Sequence, residues 1–375
     1  MMTGRRPVVR RAPGKLFVAG EYAVVEPGNP AILVAVDRYL TVTVSGRAHS
    51  GVVISSDLGP RAVRWQWRDG RLDVHGEEKE DDARRGRGAL AHVVSAIETV
   101  GALLAERGLP MPALSVSVHS DLHEAGRKYG LGSSGAVTVA SVAAVASYCG
   151  LALSREARFK LALLATARLD PKGSGGDLAA GTWGGWIAYQ APDRDAVLDL
   201  ARRRGIEEAL AAPWPHFAVR RLPPPSGLCL EVGWSGKPAS TASLVSGLHQ
   251  LTWRGSALHR TFIQTTTDLV RAAIGALEAG DGPGLLHQIR RARHELARLD
   301  DEVGLGIFTT ELTALCDAAE GVGGAAKPSG AGGGDCGIAL LDAGAPNDIA
   351  HVHRRWAAAG VLPLPVRPAL EGNEE

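Results

Sequence analysis

The feature that most constrains this chain is a run of small residues at the mouth of a predicted helix. The run reads Gly130-Leu-Gly-Ser-Ser-Gly135, and the small apolar stretch Ala136–Tyr148 follows it directly. Glycine lets the backbone turn tightly and approach a ligand closely, and a helix N-terminus presents free N–H groups and the positive end of its dipole. The run therefore predicts a phosphate-binding loop, with a plain glycine-rich turn capped by Ser134 as the alternative.

This run differs from two other phosphate-binding motifs. A Walker A loop needs a lysine and a hydroxyl residue after its last glycine, whereas this run continues into Ala136. Its letters do fit G-x-G-x-x-G, but a dinucleotide-binding fold places that motif directly after its first strand. Here residues 8–45 already have the pattern of strands, far upstream of the run. The sequence therefore disfavours both readings.

Composition restricts the partners that the chain can have. Of its 375 residues, 45% are hydrophobic and 22% are charged, and the formal net charge is +1. This balance gives no global field for nucleic acid or a membrane, so we expect neither as a partner. The longest apolar run, residues 136–146, is shorter than the ~20 residues that span a bilayer. Four cysteines without a C-x-x-C pair favour a reducing, cytoplasmic setting. The oligomeric state, monomer or homodimer, stays open.

The length of the chain predicts about two domains. The cluster Leu222-Pro-Pro-Pro225 predicts a linker, because consecutive prolines fit neither a helix interior nor a paired strand. We therefore expect one domain over residues 1–225 and another over residues 226–375. Strands and helices mix irregularly in both, which favours an α+β fold over a doubly wound parallel sheet. The charge run Glu77–Arg87 predicts a solvated loop, and Ser240–Ile274 predicts a helix.

Two further glycine clusters flank the central run. Ala12-Pro-Gly-Lys-Leu-Phe-Val-Ala-Gly-Glu-Tyr22 lies near the start, and Lys327-Pro-Ser-Gly-Ala-Gly-Gly-Gly-Asp-Cys-Gly337 lies near the end. In this order the three clusters resemble the motifs of the GHMP kinases, named for galactokinase and the homoserine, mevalonate and phosphomevalonate kinases. The resemblance spans the chain and implies an ATP-dependent phosphotransferase that uses Mg²⁺. It also implies an N-terminal ribosomal-protein-like domain and a C-terminal ferredoxin-like domain, with the active site between them.

The resemblance assigns roles to residues at the motif positions. Lys15 would bridge the transferred phosphate and the acceptor oxygen, and Asp177 would accept the acceptor's proton or orient it. Ser134 would hold the metal, with Asp170 as a second candidate because the glutamate that mevalonate kinases carry before the aspartate is absent here. The ATP phosphates would be wrapped by Gly130, Leu131, Gly132, Ser133, Ser134 and Gly135.

A second set of residues is expected around the acceptor. Gly20-Glu-Tyr-Ala23 and the basic lead-in Arg127-Lys128 resemble the phosphomevalonate kinase branch, which converts (R)-5-phosphomevalonate to (R)-5-diphosphomevalonate. An acceptor that is already phosphorylated needs added cations and N–H donors. The expected acceptor-binding residues are Lys128, Ser174, Lys237, Ser240, Thr241, Ser329, Gly330, Ala331 and Gly332. Asp335 follows the third cluster, either as a site residue or as a turn acid facing water.

Three alternatives stay open on the sequence. A mevalonate kinase would phosphorylate a hydroxyl, and Tyr22 and Lys128 argue against it. A diphosphomevalonate decarboxylase would run another reaction on the same fold, and Lys15 together with the third cluster argues against it. A non-catalytic, ligand-sensing member of the family is disfavoured by the intact Lys15, Ser134 and Asp177.

Overall fold

Strands and helices alternate irregularly along the chain, as the sequence predicts for an α+β fold. The structure, a computed structural model, describes residues 6–46, 50–57, 62–74, 80–124, 127–239 and 253–372. Its strands are β1 Val8–Ala19, β2 Pro30–Ser45, β3 Val52–Ser56, β4 Val63–Arg68, β5 Arg71–Val74, β6 Leu114–Ser120, β7 His123–Glu124, β8 Arg127–Lys128, β9 Trp186–Gln190, β10 Ala218–Leu222, β11 Leu228–Trp234, β12 Ala325–Pro328, β13 Cys336–Asp342 and β14 Leu362–Leu364. Its helices are α1 Glu80–Glu106, α2 Ser133–Tyr148, α3 Arg155–Ala167, α4 Gly176–Trp183, α5 Arg194–Arg204, α6 Ile206–Ala211, α7 Ala257–Ala279, α8 Gly282–Val303, α9 Thr310–Glu320 and α10 Pro346–Ala358.

The larger sheet is built around the long strand β2. Its strand order is β10-β9-β2-β6-β3-β4-β5, and β1 also pairs with β2. The β1–β2 register sets Lys15 opposite Ala35, near the middle of both strands. Helix α2 packs against both strands with small residues, so its N-terminal end comes close to β1. The sheet thereby brings the first and second glycine clusters together.

The smaller sheet follows the proline cluster. Its strand order is β12-β13-β11-β14, and all its pairs are antiparallel. With helices after β11 and after β13, this is the split β-α-β-β-α-β arrangement of ferredoxin-like domains. The third glycine cluster forms the connection from β12 to β13. The division at residues 225 and 226 stays a prediction, because one buried apolar cluster joins Leu33 to Val232 across it.

Two predicted segments, Glu77–Arg87 and Ser240–Ile274, lie partly outside the described ranges, the first at residues 77–79. The solvated loop over Glu77–Arg87 is wrong for residues 80–87, which form the first turns of α1. Acidic residues open this segment and arginines follow four positions later, an order that favours a helix through both its dipole and its spacing. The helix predicted over Ser240–Ile274 is found from Ala257, whereas residues 240–252 lie outside the described ranges.

Candidate active site

A cleft of ≈ 610 Å³ lies between several segments, among them strand β1, the starts of α2 and α4, the loop between α3 and α4, and the connection from β12 to β13. The predicted site residues that line it are Lys15, Lys128, Gly130, Leu131, Gly132, Ser133, Ser134, Asp170, Ser174, Asp177, Gly330 and Ala331. These residues come from distant parts of the sequence, so the fold brings most of the predicted site into one place. A second groove of ≈ 860 Å³ lies beside the linker prolines and contains none of the predicted site residues.

The start of α2 leaves backbone donors free for a ligand. Gly132 precedes α2 and Gly175 precedes α4 in the left-handed region, with φ of 78° and 74°. Helix α2 has no side chain that caps its first turn, so Ser134 is not the helix cap that the alternative reading required. In α4, by contrast, the N–H groups of Gly176 and Leu178 already donate to side chains. Uncapped N–H groups together with the positive dipole end favour an anion at the start of α2. This geometry supports the phosphate-binding reading of the loop.

The glycines of the loop make room for charged side chains. A Cβ atom on Gly132 would lie 2.9 Å from Cγ of Lys15, and one on Gly135 would lie 2.4 Å from Oδ2 of Asp177. A Cβ atom on Gly130 would lie 2.3 Å from Cγ of Asp335. The backbone N–H of Lys15 also donates to the Leu131 carbonyl at 2.8 Å. The loop, the lysine and two carboxylates are therefore in direct contact.

Asp177 is half-buried at the start of α4. Loss of water around its carboxyl raises the pKa, and this effect is opposed by the Lys15 ammonium, by the N–H of Leu178 and by His92. The Leu178 N–H donates to Oδ1 of Asp177 at 3.0 Å, which fixes the orientation of the carboxyl group. An oriented carboxylate beside a lysine can align an acceptor oxygen and neutralise developing charge.

His92 lies in the cleft wall, although no sequence motif selects it. Its Nδ1 is 3.3 Å from the Thr138 hydroxyl, which donates to the Ser134 carbonyl at 2.8 Å. Burial lowers the pKa of His92, with Asp177 and Asp170 opposing the shift. The imidazole therefore links α1 to the phosphate loop through Thr138. Only the packing of α1 on α2 reveals this residue, which stands alone in the sequence.

Asp335 belongs to the cleft and is not a turn acid facing water. It has a φ of 53°, an unfavourable region for a non-glycine residue, and its Oδ1 accepts the N–H of Ala239 at 3.0 Å. Loss of water raises the pKa of Asp335, whereas the Ala239 N–H, Lys15 and Lys128 lower it. A carboxylate here, close to Lys15 and Lys128, limits the positive charge offered to substrates.

Several predicted residues do not line the cleft. The Lys237 ammonium is exposed and donates to Oε1 of Glu311 at 2.6 Å, so its role toward the acceptor stays a prediction. Ser329 and Gly332 lie behind the cleft wall, against Phe17 and Ile307. Two predicted residues fall outside the described ranges, Ser240 and Thr241.

Comparisons with known proteins decide the family. The family model described as GHMP kinases N terminal domain matches residues 91–185, and the model described as GHMP kinases C terminal matches residues 273–359. The phosphomevalonate kinase of a Streptomyces species is 73% identical over 99% of this chain and 100% of its own length. This chain belongs to the GHMP kinase family. The α+β, two-domain kinase fold expected from the three clusters is confirmed.

More distant members share the fold. The structure of Streptococcus pneumoniae phosphomevalonate kinase in complex with phosphomevalonate and AMPPNP has a TM-score of 0.82 at 27% identity, covering 96% of this chain and 99% of that one. The mevalonate kinase of Aeropyrum pernix is 30% identical over 91% of this chain and 90% of its own length. Among the helices of the described residues, none has the length and apolarity needed to cross a membrane.

Proposed function

We propose that this protein transfers the terminal phosphoryl group of ATP to the phosphate of (R)-5-phosphomevalonate, giving ADP and (R)-5-diphosphomevalonate. The observation that carries the proposal is the contact of Lys15 and Asp177 with the glycine loop, in a chain 73% identical to a phosphomevalonate kinase over its full length. The same residues argue against a ligand-sensing role, because a sensor needs neither group.

The cleft suits phosphoryl transfer without a covalent intermediate. The free N–H groups at the start of α2 would bind the ATP phosphates, and the Lys15 ammonium would neutralise charge on the transferred group. The acceptor oxygen is already anionic at neutral pH. Asp177 therefore serves mainly to orient Lys15 and the acceptor and has little need to remove a proton.

The oxygen donors in the cleft fit Mg²⁺. Ser134, Asp170 and Asp177 all line it, and Mg²⁺ is usually held by one or two carboxylates together with substrate phosphates. In the described residues, no cluster of three or more His, Cys, Asp or Glu side chains forms a metal site by itself. That agrees with a metal that arrives with ATP. When bound, Mg²⁺ would neutralise charge on the phosphates, with Ser134 and Asp170 as its protein ligands.

Lys128 supports a phosphorylated acceptor. It is an exposed residue of β8, and its side chain reaches the rim of the cleft near Asp335. A cation at this rim can pair with a second phosphate group, which unphosphorylated mevalonate lacks. All four cysteines are free thiols, which supports our further proposal that the enzyme works in the cytoplasm.

A substrate panel tests the proposal. ADP release is measured with mevalonate, phosphomevalonate, diphosphomevalonate, homoserine and galactose as acceptors, each with ATP and Mg²⁺. We expect the highest kcat/KM with phosphomevalonate. Equal or better turnover of mevalonate would refute the acceptor assignment but not the family, and release of carbon dioxide from diphosphomevalonate would indicate the decarboxylase.

A further inference from the structure

The third glycine cluster is fastened to the first one by buried polar contacts. The Lys327 ammonium donates to Oε1 of Glu21, and both side chains are almost completely buried, at 0% and 4% exposure. Oε1 of Glu21 also accepts the N–H of Gly330 at 3.3 Å. The Glu21 carboxylate therefore contacts the third cluster at two residues, Lys327 and Gly330.

Two further residue pairs join the third cluster to the first. The Ser329 hydroxyl accepts the N–H of Phe17 at 2.8 Å and lies 3.0 Å from the Phe17 carbonyl, to which it donates. The Tyr22 hydroxyl donates to the Ala331 carbonyl at 2.5 Å. The third cluster thus contacts the first through the side chains of Lys327 and Ser329 and through the backbone of Gly330 and Ala331.

The backbone at this junction is held in an unfavourable conformation. Tyr22 directly follows Glu21 and has a φ of 62°, in the left-handed region that a bulky residue avoids. Such a conformation persists only where the surroundings determine it, and it is concentrated at functional sites. The buried contacts on either side of Tyr22 stabilise this conformation.

A buried ion pair by itself is weak evidence for stability. Removing two charges from water costs about as much as their attraction returns, and well-packed apolar residues often replace such pairs without loss. Precise placement is a better explanation here, because Gly330 lies next to Lys15: a Cβ atom on Gly330 would be 3.9 Å from the Lys15 ammonium nitrogen.

We propose that Glu21 and Lys327 are positioning residues for phosphoryl transfer: their ion pair holds Gly330 and Ala331 in register with Lys15. The third cluster is then a fixed wall of the cleft, joined to strand β1, and does not close over the substrates separately. This inference rests on the proposed kinase function, since the register matters only if an acceptor lies between Lys15 and this wall.

The decisive variant is Lys327→Met, which keeps the length of the side chain but removes its charge. We expect kcat to fall roughly 10- to 100-fold, because small misplacements of reacting groups have effects of that size. The acceptor KM should rise, whereas the KM for ATP should change less than about twofold, since the α2 loop is untouched. The double variant Glu21→Gln/Lys327→Met should be no worse than Lys327→Met, because both act through one contact.

Lys160→Met is the matched control. Lys160 is also buried, and its ammonium donates to the carbonyls of Leu210 at 3.1 Å and Ala212 at 2.8 Å, away from the cleft lining. This variant should lower thermal stability but leave kcat and both KM values within about twofold, since neither contact reaches the reacting groups. If Lys327→Met does not fold, Ser329→Ala tests the same wall without leaving a buried charge, and its acceptor KM should rise.

Hydrogen–deuterium exchange separates this inference from the proposed function. In Lys327→Met, the amides of residues 329–334 should exchange faster than in the unmodified protein, and in Lys160→Met they should not. If the unmodified protein phosphorylates no acceptor of the panel, the proposed function fails, and the kinetic role of the Glu21–Lys327 pair fails with it. Faster exchange in Lys327→Met would in that case still support the fixed wall. A folded Lys327→Met or Ser329→Ala variant with unchanged kcat, acceptor KM and exchange would overturn the inference. The inference would also be overturned if the loss of kcat in both lysine variants were explained by their lower melting temperatures alone.

Discussion

The two glycine segments that face each other across the cleft, 130–135 and 329–334, use glycine for different reasons. In the first, an added Cβ atom would strike the side chains of Lys15, Asp177 or Asp335. In the second, it would strike uncharged groups: on Gly332 it would lie 2.5 Å from Cγ2 of Ile307 and 2.6 Å from the Ile307 carbonyl oxygen, and on Gly334 2.6 Å from the Lys237 carbonyl oxygen. The first segment thus makes room for charged groups, and the second makes room for its own close packing.

This difference predicts that substitutions in the two segments will have different effects. Changes in the first segment displace the groups that act on the phosphates, so they should affect turnover before stability. Changes in the second segment disturb a wall that buried contacts hold in place, so they should affect stability together with acceptor binding. Variants at the two segments, and at the charged residues between them, test this division.

The largest effect is expected where the charged groups themselves are removed. Lys15→Met and Asp177→Ala should each lower kcat roughly 10²-fold or more, because each removes alignment or charge stabilisation made mainly in the transition state. Steady-state kinetics with phosphomevalonate and ATP measures this, with circular dichroism to show that the variants fold. Wild-type turnover in either folded variant would remove that residue from the mechanism.

Gly135→Ala should approach the same loss without removing any functional group. Its new Cβ atom would have to displace the Asp177 carboxyl, 2.4 Å away, so we expect kcat to fall roughly 10²-fold with a small change in melting temperature. Gly275→Ala in α7 is the matched control, because its Cβ atom meets nothing within 4 Å. That variant should keep full activity and gain up to about 1 kcal/mol in stability.

Gly332→Ala is the counterpart in the second segment. Gly332 has a φ of 74° and packs on the Ile307 backbone, so alanine there should destabilise the protein more than Gly135→Ala does. Thermal denaturation of the two variants side by side gives the comparison. If Gly135→Ala proved the less stable of the two while its turnover stayed high, the division between the segments would be wrong.

Sequence reasoning identified the parts of the site that local chemistry dictates. Glycine runs at a helix start indicate anion binding wherever they occur, whereas the roles of Lys15 and Asp177 are implied by the resemblance to the GHMP kinase motifs. His92 and Asp335 were missed or left open because their roles depend on which elements pack together. A single sequence carries no signal for the approach of α1 to α2 or for the turn that sets Asp335 against Gly130.

The same distinction between local signals and long-range packing applies to the fold. The helix predicted after the glycine run, Ala136–Tyr148, is found as α2 and ends at the predicted residue, because the small apolar residues and the stop at Gly150 are local signals. The start of α1 was missed because the charge run suggested solvation while its order of charges favoured a helix. Lys237 shows the limit for the site: it is one of the expected acceptor-binding residues, yet its ammonium is paired with Glu311.

Lys128 and Lys237 therefore offer a sharper test of acceptor recognition. Lys128→Ala should raise the KM for phosphomevalonate by about ten- to a hundredfold, the value of a charge-assisted hydrogen bond of roughly 1.5–3 kcal/mol. Lys237→Ala should raise it less, because Lys237 is already paired. The KM for ATP should hold in both variants. A rise in the ATP KM of Lys128→Ala, with the acceptor KM unchanged, would place Lys128 in the nucleotide site.

The smallest expected effect concerns the stability that Asp177 costs the protein. Burial raises the pKa of Asp177, so the folded protein favours the protonated carboxyl more than the unfolded chain does. The stability from this preference is complete below the unfolded pKa of about 3.9 and is lost as the pH rises through the folded pKa. Asp177→Asn has no ionised form, so at pH 7.5 it should melt roughly 1–2 °C higher than the unmodified protein while losing turnover.

The difference in melting temperature should shrink toward pH 4, where the native carboxyl is itself protonated more often. Lys15 loses its partner in Asp177→Asn, which reduces the gain in melting temperature but does not reverse the dependence of that gain on pH. Thermal denaturation of both proteins between pH 4 and pH 8 is the measurement. A variant that melts lower at pH 7.5, or a difference that does not vary with pH, would show that the Lys15–Asp177 contact stabilises the fold. The charged groups under the first glycine segment would then be structural as well as catalytic, and the contrast with the second segment would no longer hold.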